Sequence, residues 1–332
     1  MTKEFIHTPS AHCETGTVSN LLRSYGLEMS EPMVFGLASG LTFAYLKQIK
    51  INGLPLIAYR IPPKMLVKSL SWRIPGLKFK YENFRNADKG MQALDSMLAQ
   101  GKAVGLQTSV FFLPYFPQAM RFHFNAHNLL AYAKEGDEYK ISDPVFSHLV
   151  TAQEEDLKRA RFSKGALAPK GLMYYPSAVP ESIDYDHVIP KSIRFMAKMN
   201  GRWNPVPFSG VRGIRLLAKN ISKLDKGDQH YAELFMGHIV RMQEEIGTGG
   251  AGFRFIYAAF LQESAELIGS PTLQECSEEL TQIGDEWRDF AVLCARLSKQ
   301  RKGQDYGDAA KQLYKIADME LDFYNRLSKF KK

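Results

Sequence analysis

Cysteine is scarce: there are three in 332 residues, at positions 13, 276 and 294, and no two form a Cys-x-x-Cys pair. So thin and scattered a set excludes a disulfide framework and a thiolate zinc site, and it points to a reducing compartment. Long apolar runs are missing as well. No window of about 18 apolar residues occurs, and the N-terminus has no charged flank leading into an unbroken apolar stretch, so the expectation is a cytoplasmic protein without export signal or membrane span. Negative charge is also in short supply, since 43 Lys and Arg outnumber 35 Asp and Glu for a net charge of +8. That excess favours acidic partners. The basic residues are nevertheless spread thinly, with one group around Lys158, Arg159, Arg161 and Lys164 and another at Lys329, Lys331 and Lys332, and no nucleic-acid module signature accompanies them. Nucleic acid is therefore not an expected partner. Internal repeats and low-complexity tracts are absent too.

What is present is enough apolar material, 45% of residues, for a sizeable core in about two domains. The first 180 residues mix two periodicities. Val18, Leu21, Leu22 and Tyr25 have helical spacing ahead of Gly26, and a second helix runs from a cap at Asp88 through Met91, Leu94 and Leu98 to Gly101. From Ala103 the texture becomes strand-like: residues 103–109, 128–132 and 138–142, the last two joined by a turn at Glu135-Gly136-Asp137. The expected fold class is α+β, helices first and an antiparallel sheet after, in a domain over residues 1–180. Residues 168–186 are rich in Pro, Gly and Ser and read as a linker. Beyond it, helical patterns at 214–224, 230–246, 253–268, 273–298 and 306–330 predict an all-α helical domain over 185–332.

Within this frame three residues suggest chemistry. Cys13 stands at the head of the first helix, where the positive end of the helix dipole favours a thiolate and the Cys13 and Glu14 N–H groups can face an oxyanion. His127 opens an apolar strand and can act as general base; Asp143 closes the partner strand of the same hairpin and can orient the imidazole. Thiol, imidazole and carboxylate in that chain order are the plan of papain-like cysteine enzymes. Each residue also has a plain reading: a small buried thiol, a satisfied polar histidine, an Asp-Pro turn. His12 and His123 remain alternatives for the base, and Gln107 is a candidate oxyanion donor, although papain-like enzymes place that glutamine ahead of the cysteine and His7 occupies the neighbourhood here. No metal-ligand pattern appears.

Two further stretches qualify as substrate contacts. The run Gly247 to Gly252 lacks the Lys-Ser/Thr of a P-loop, and reads as a helix break that lets two backbones approach. Alternatively Arg254 and Tyr257, one turn apart on the helix it opens, reach a cleft and hold an anionic or polar part of a substrate. The aromatic stretch Phe111 to Pro117, with Phe111 and Tyr115, can line an acyl pocket or pack as a loop on the core.

The motif His12-Cys13-Glu14-Thr15-Gly16, followed by Leu21 to Gly26 and by Glu31 to Phe43 with glycines at 36 and 40, resembles the N-terminal domain of the butirosin biosynthesis protein H family. Glu245 to Arg254, continuing Tyr257 to Leu261, is similar to the helical domain that usually follows it. The resemblance implies a papain-like fold and an acyltransferase that moves an acyl group from an acyl carrier protein to an amine, on an aminoglycoside in the named member. It implies Cys13, His127 and Asp143 as nucleophile, base and orienting carboxylate, and no cofactor beyond the 4'-phosphopantetheine arm of the donor. The acceptor is a small-molecule amine or hydroxyl, and a homodimer stays open. A peptidase or amidase using the same residues and a non-catalytic scaffold are the competing readings.

Overall fold

The computed structural model describes residues 5–51, 53–299 and 305–332. Helices α1 (Cys13–Ser24) and α2 (Glu31–Leu37) come first, then strands β1 (Leu41–Ile51) and β2 (Leu54–Arg60). Helix α3 (Met65–Arg73), strand β3 (Lys78–Glu82) and helix α4 (Ala87–Leu98) follow. Strands β4 (Val104–Thr108), β5 (His127–Glu135), β6 (Glu138–Ser142) and β7 (Val150–Gln153) lead to helix α5 (Glu154–Arg161) and strand β8 (Met173–Ala178). The remainder is helical: α6 (Tyr185–Asn200), α7 (Gly210–Ile221), α8 (Gln229–Val240), α9 (Arg254–Ile268), α10 (Pro271–Leu297) and α11 (Tyr306–Leu327).

The chain forms two compact units, Met1–Val34 with Pro63–Ile183 and Phe35–Pro62 with Asp184–Lys332. The segment 35–62 thus lies with the C-terminal helices and not with the residues that flank it. Its own bonds say why. Tyr45 N–H donates to the Phe208 carbonyl, the Asn200 side-chain amide donates to the Leu41 carbonyl, and Phe43 and Tyr59 pack against Trp287 with ring centroids 5.8 and 5.6 Å away. A two-stranded hairpin cannot cover its own apolar face, so it needs the helices.

In the first unit the strands form one sheet in the order β3-β8-β4-β5-β6-β7, every pair antiparallel. Leu94, Val104, Leu106, Leu129, Ile141 and Leu157 belong to its core, all fully buried or nearly so. Helix α1 packs on β5 and β4. The expectation of helices first and an antiparallel sheet after, followed by an all-helical region, describes the molecule.

Two local readings need correction. The stretch read as a linker contains β8, which sits inside the sheet between β3 and β4. Its prolines misled: Pro176 is tolerated because β4 pairs β8 only at Tyr174 and Met173, leaving Pro176 past the ladder and opposite an irregularity in β3. The second helix is capped by Asn86, whose side chain accepts the Lys89 N–H, while Asp88 lies in the first turn and pairs with Lys158.

Candidate active site

The motif around Cys13 builds a helix start. His12 is extended (φ −121, ψ 126) and is the N-cap of α1: its Nδ1 accepts from Thr15 N–H, so its ring is committed to capping and not to base catalysis. Cys13 is the first helical residue, half-buried, with its N–H among those that an α-helix leaves without an internal partner. Cys276 and Cys294 are buried, and burial pushes their thiols up, Cys276 to about 11. Glu31, from the start of α2, holds the turn in place: its carboxylate accepts from the N–H groups of Ala11 and His12 at 2.9 and 2.8 Å and from the Thr15 hydroxyl at 3.0 Å. Gly16 is needed for contact, since a Cβ there would lie 2.4 Å from the Ser10 Cβ and 2.7 Å from the Pro144 Cβ. Ser10 N–H in turn donates to the Pro144 carbonyl at 2.7 Å. The residue after Asp143 is thereby pressed against the helix that carries Cys13.

His127 begins β5, paired across from Thr108 of β4, and Asp143 directly follows β6. Antiparallel pairing of β5 with β6 returns the chain, and His127 Nε2 lies 2.7 Å from Asp143 Oδ2. Both side chains are buried, His127 at 3% exposure and Asp143 at 0%. The carboxylate divides its work. Oδ1 accepts the Val145 N–H at 3.2 Å, the turn chemistry of an Asp-Pro segment, while Oδ2 serves His127. His7 braces the same corner through the Ser142 hydroxyl at 2.8 Å and the Phe146 carbonyl at 3.0 Å.

Burial pulls the His127 pKa down, but the charge and hydrogen bond of Asp143, joined by the hydrogen bond and charge of Cys13, more than offset it and push it up to about 10. With Nε2 spent on Asp143, Nδ1 is the nitrogen left for the thiol. Phe116 stands edge-on to the imidazole at 5.3 Å and 89°, which keeps water from that side.

The other sequence candidates have partners of their own. Arg254 is fully buried in the helical unit, with Nε and Nη2 at 2.9 and 3.2 Å from the two Glu320 oxygens and Nη1 donating to the Gly252 carbonyl. Its guanidinium is paired with that carboxylate and stacked at 4.6 Å on Trp287, which makes it a structural pin of this unit. Tyr257 is likewise at 0% exposure, edge-packed on Phe35 and Phe260. The glycine run makes room: a Cβ on Gly252 (φ +56) would meet the Tyr59 ring at 2.2 Å. Gln107 Nε2 donates to the Asn125 and Leu167 carbonyls at 2.8 and 2.9 Å and so ties loops together instead of facing an oxyanion. His123 stacks on the half-exposed Phe111, ring centroids 4.0 Å apart. Glu14 is buried and accepts the Lys64 N–H at 2.8 Å. Tyr115 donates its hydroxyl to Asp143 Oδ2 at 2.9 Å.

Neither Tyr115 nor Glu31 was assigned these roles from sequence. Each acts through a side-chain bond across 28 or 16–20 residues of chain, and no local pattern announces it. Among the described residues no group of three or more His, Cys, Asp and Glu is placed to hold a metal ion, and no helix is long and apolar enough to cross a membrane.

A thiol at the head of a helix, followed in the chain by an antiparallel sheet that bears a bonded imidazole and carboxylate, defines the class of papain-like cysteine-enzyme folds. Residues 12–144 match the family model described as butirosin biosynthesis protein H, N-terminal, and residues 155–327 match a domain of unknown function, DUF4872. The chain belongs to the butirosin biosynthesis protein H family. Among solved structures, one described as a C39-like peptidase from Bacillus anthracis is 13% identical, covering 54% of this chain and 96% of its own, with a TM-score of 0.36. No curated protein matches the chain.

Proposed function

We propose that the protein is a cysteine acyltransferase that takes an acyl group from a carrier-protein thioester onto Cys13 and passes it to an amine or hydroxyl of a small acceptor. The observation that carries this reading is the buried His127–Asp143 pair, 2.7 Å apart, acting on a half-exposed thiol at a helix start. A cysteine with an imidazole beside it can serve as the nucleophile, the imidazole carrying the proton. The thiolate attacks the donor carbonyl carbon, the carbonyl oxygen takes the negative charge near the N–H groups of the first turn of α1, and the carbon–sulfur bond to the phosphopantetheine arm breaks. His127 gives its proton to the departing thiolate. The new thioester has about the energy of the old, so no cofactor is needed.

Acylation also changes the base. Once Cys13 is an ester it no longer holds the imidazolium by charge or hydrogen bond, both of which raise the His127 pKa. The pKa falls, and the neutral imidazole can take a proton from the acceptor nitrogen as it attacks. Collapse then releases the Cys13 thiolate and the amide.

Incubation with an acyl-loaded carrier protein and intact-mass analysis tests this. The expected result is a one-acyl adduct on the wild type, none on Cys13→Ala, and loss of the adduct faster with amines than with water. An adduct cleared by water at the same rate would make the protein a hydrolase, and no adduct from any thioester donor would leave a scaffold and overturn the proposal.

A further inference from the structure

We propose that Tyr115 is a positioning residue that sets how tightly Asp143 holds the proton of His127. The geometry is a shared acceptor. Asp143 Oδ2 receives the Tyr115 hydroxyl at 2.9 Å and His127 Nε2 at 2.7 Å, while Oδ1 is engaged by Val145 N–H at 3.2 Å. The carboxylate is fully buried, so these are the bonds that stabilise its charge. A second donor on the same oxygen draws off part of the charge that would otherwise act on the imidazolium.

The phenol is built to stay. Tyr115 packs edge-on against Phe146 at 5.4 Å and beside Phe116 at 5.2 Å, and Phe116 is itself edge-on to His127. Burial, with the charge of Asp143, holds the phenol well above its ordinary pKa, so it remains a donor throughout the working range. Other nearby ionisable groups have their own partners: His7 bonds to Ser142 and the Phe146 carbonyl, and Tyr174 donates to Asn128. From α1, packed on β5, Cys13 acts on His127 directly, Glu14 is bonded to Lys64 N–H and His12 caps the helix. Strand β4 brings no ionisable side chain, and in β6 Tyr139 is bonded to Asp95 and Lys140 to Glu138.

The chemical purpose follows from the two halves of the reaction. A base held too strongly protonated keeps the thiolate charged but surrenders its proton slowly to a leaving group and is slow to become neutral for the acceptor. Tyr115 tempers that hold. This assignment rests on the acyl-transfer reading for its purpose, but its physical content is measurable without turnover.

The test is an NMR titration of the His127 imidazole in wild type and Tyr115→Phe, which keeps the ring and removes the donor. The expected result is an upward shift of the His127 midpoint, on the order of half to one pH unit, since one hydrogen bond to a charged group is redistributed. Where acyl transfer is active, the alkaline limb of its pH profile moves up with it. Incorporation of 3-fluorotyrosine at 115, a stronger donor of the same shape, is expected to move the midpoint down. An unchanged midpoint in both variants, or a downward shift in Tyr115→Phe, overturns the assignment. Absence of acyl transfer with these shifts intact would overturn the functional proposal alone.

Discussion

At the scale of single residues, the pair His127–Asp143 makes the fold's stability depend on pH. Folding raises the His127 pKa from 6.5 to about 10 despite burial, so the folded state binds the proton more tightly than the unfolded chain. That stabilisation is fully present below pH 6.5 and is lost as pH rises through about 10. Thermal unfolding across that window is expected to show a steeper fall for wild type than for His127→Ala, and parallel curves would remove the pair as the cause. That Cys13 heads a helix, His127 opens a strand and Asp143 follows one was legible in the sequence, because residue type, chain order and the ends of strands are local facts. Burial was not. Arg254 has the charge and the position of a substrate ligand in sequence, yet Glu320, 66 residues away, saturates it.

At the scale of elements, the contact that sets the distance between α1 and the end of β6 is steric. Gly16→Ala would drive a methyl group into Ser10 and Pro144, so the helix or the turn carrying Asp143 must retreat. The expected result is a loss of about 1–3 kcal/mol in denaturant unfolding, as overpacking generally costs. Slower alkylation of Cys13 at neutral pH should accompany it, and unchanged stability and alkylation would show that the turn yields freely. Helix α1 and strands β4, β5 and β6 could be read from periodicity and turn residues. Strand β8 could not. Its Pro176 and the glycine and prolines around it are loop signals, and what makes Met173 to Ala178 a strand is a partner on each side, supplied by β3 and β4 from 67 to 100 residues earlier. Hairpin β1–β2 falls in the second unit for the same kind of reason, through bonds to Asn200 and Phe208.

At the scale of the whole molecule, net charge sets how partners arrive. The +8 balance favours acidic partners, such as the carrier protein of the proposed function, and one basic group lies beside a cavity of about 520 Å³ that Lys158, Arg159, Lys164, His123 and Phe112 help to line. Raising ionic strength from about 0.01 to about 1 M shrinks the screening length from roughly 30 to 3 Å. The second-order rate of Cys13 acylation by the carrier is expected to fall several-fold over that range, by the loss of steering. A rate indifferent to salt would mean encounter is not electrostatic. The interleaving of the two units reaches back to how the polypeptide is made. As synthesis passes Ile183, every strand of the six-stranded sheet has been made, but Phe43, Tyr45 and Tyr59 of the hairpin lack their ring partners, because Trp287 and Phe235 have yet to emerge. The nascent chain must therefore carry a bare greasy loop in its middle until the ribosome has almost finished, and a fragment cut at the seam would carry it for good.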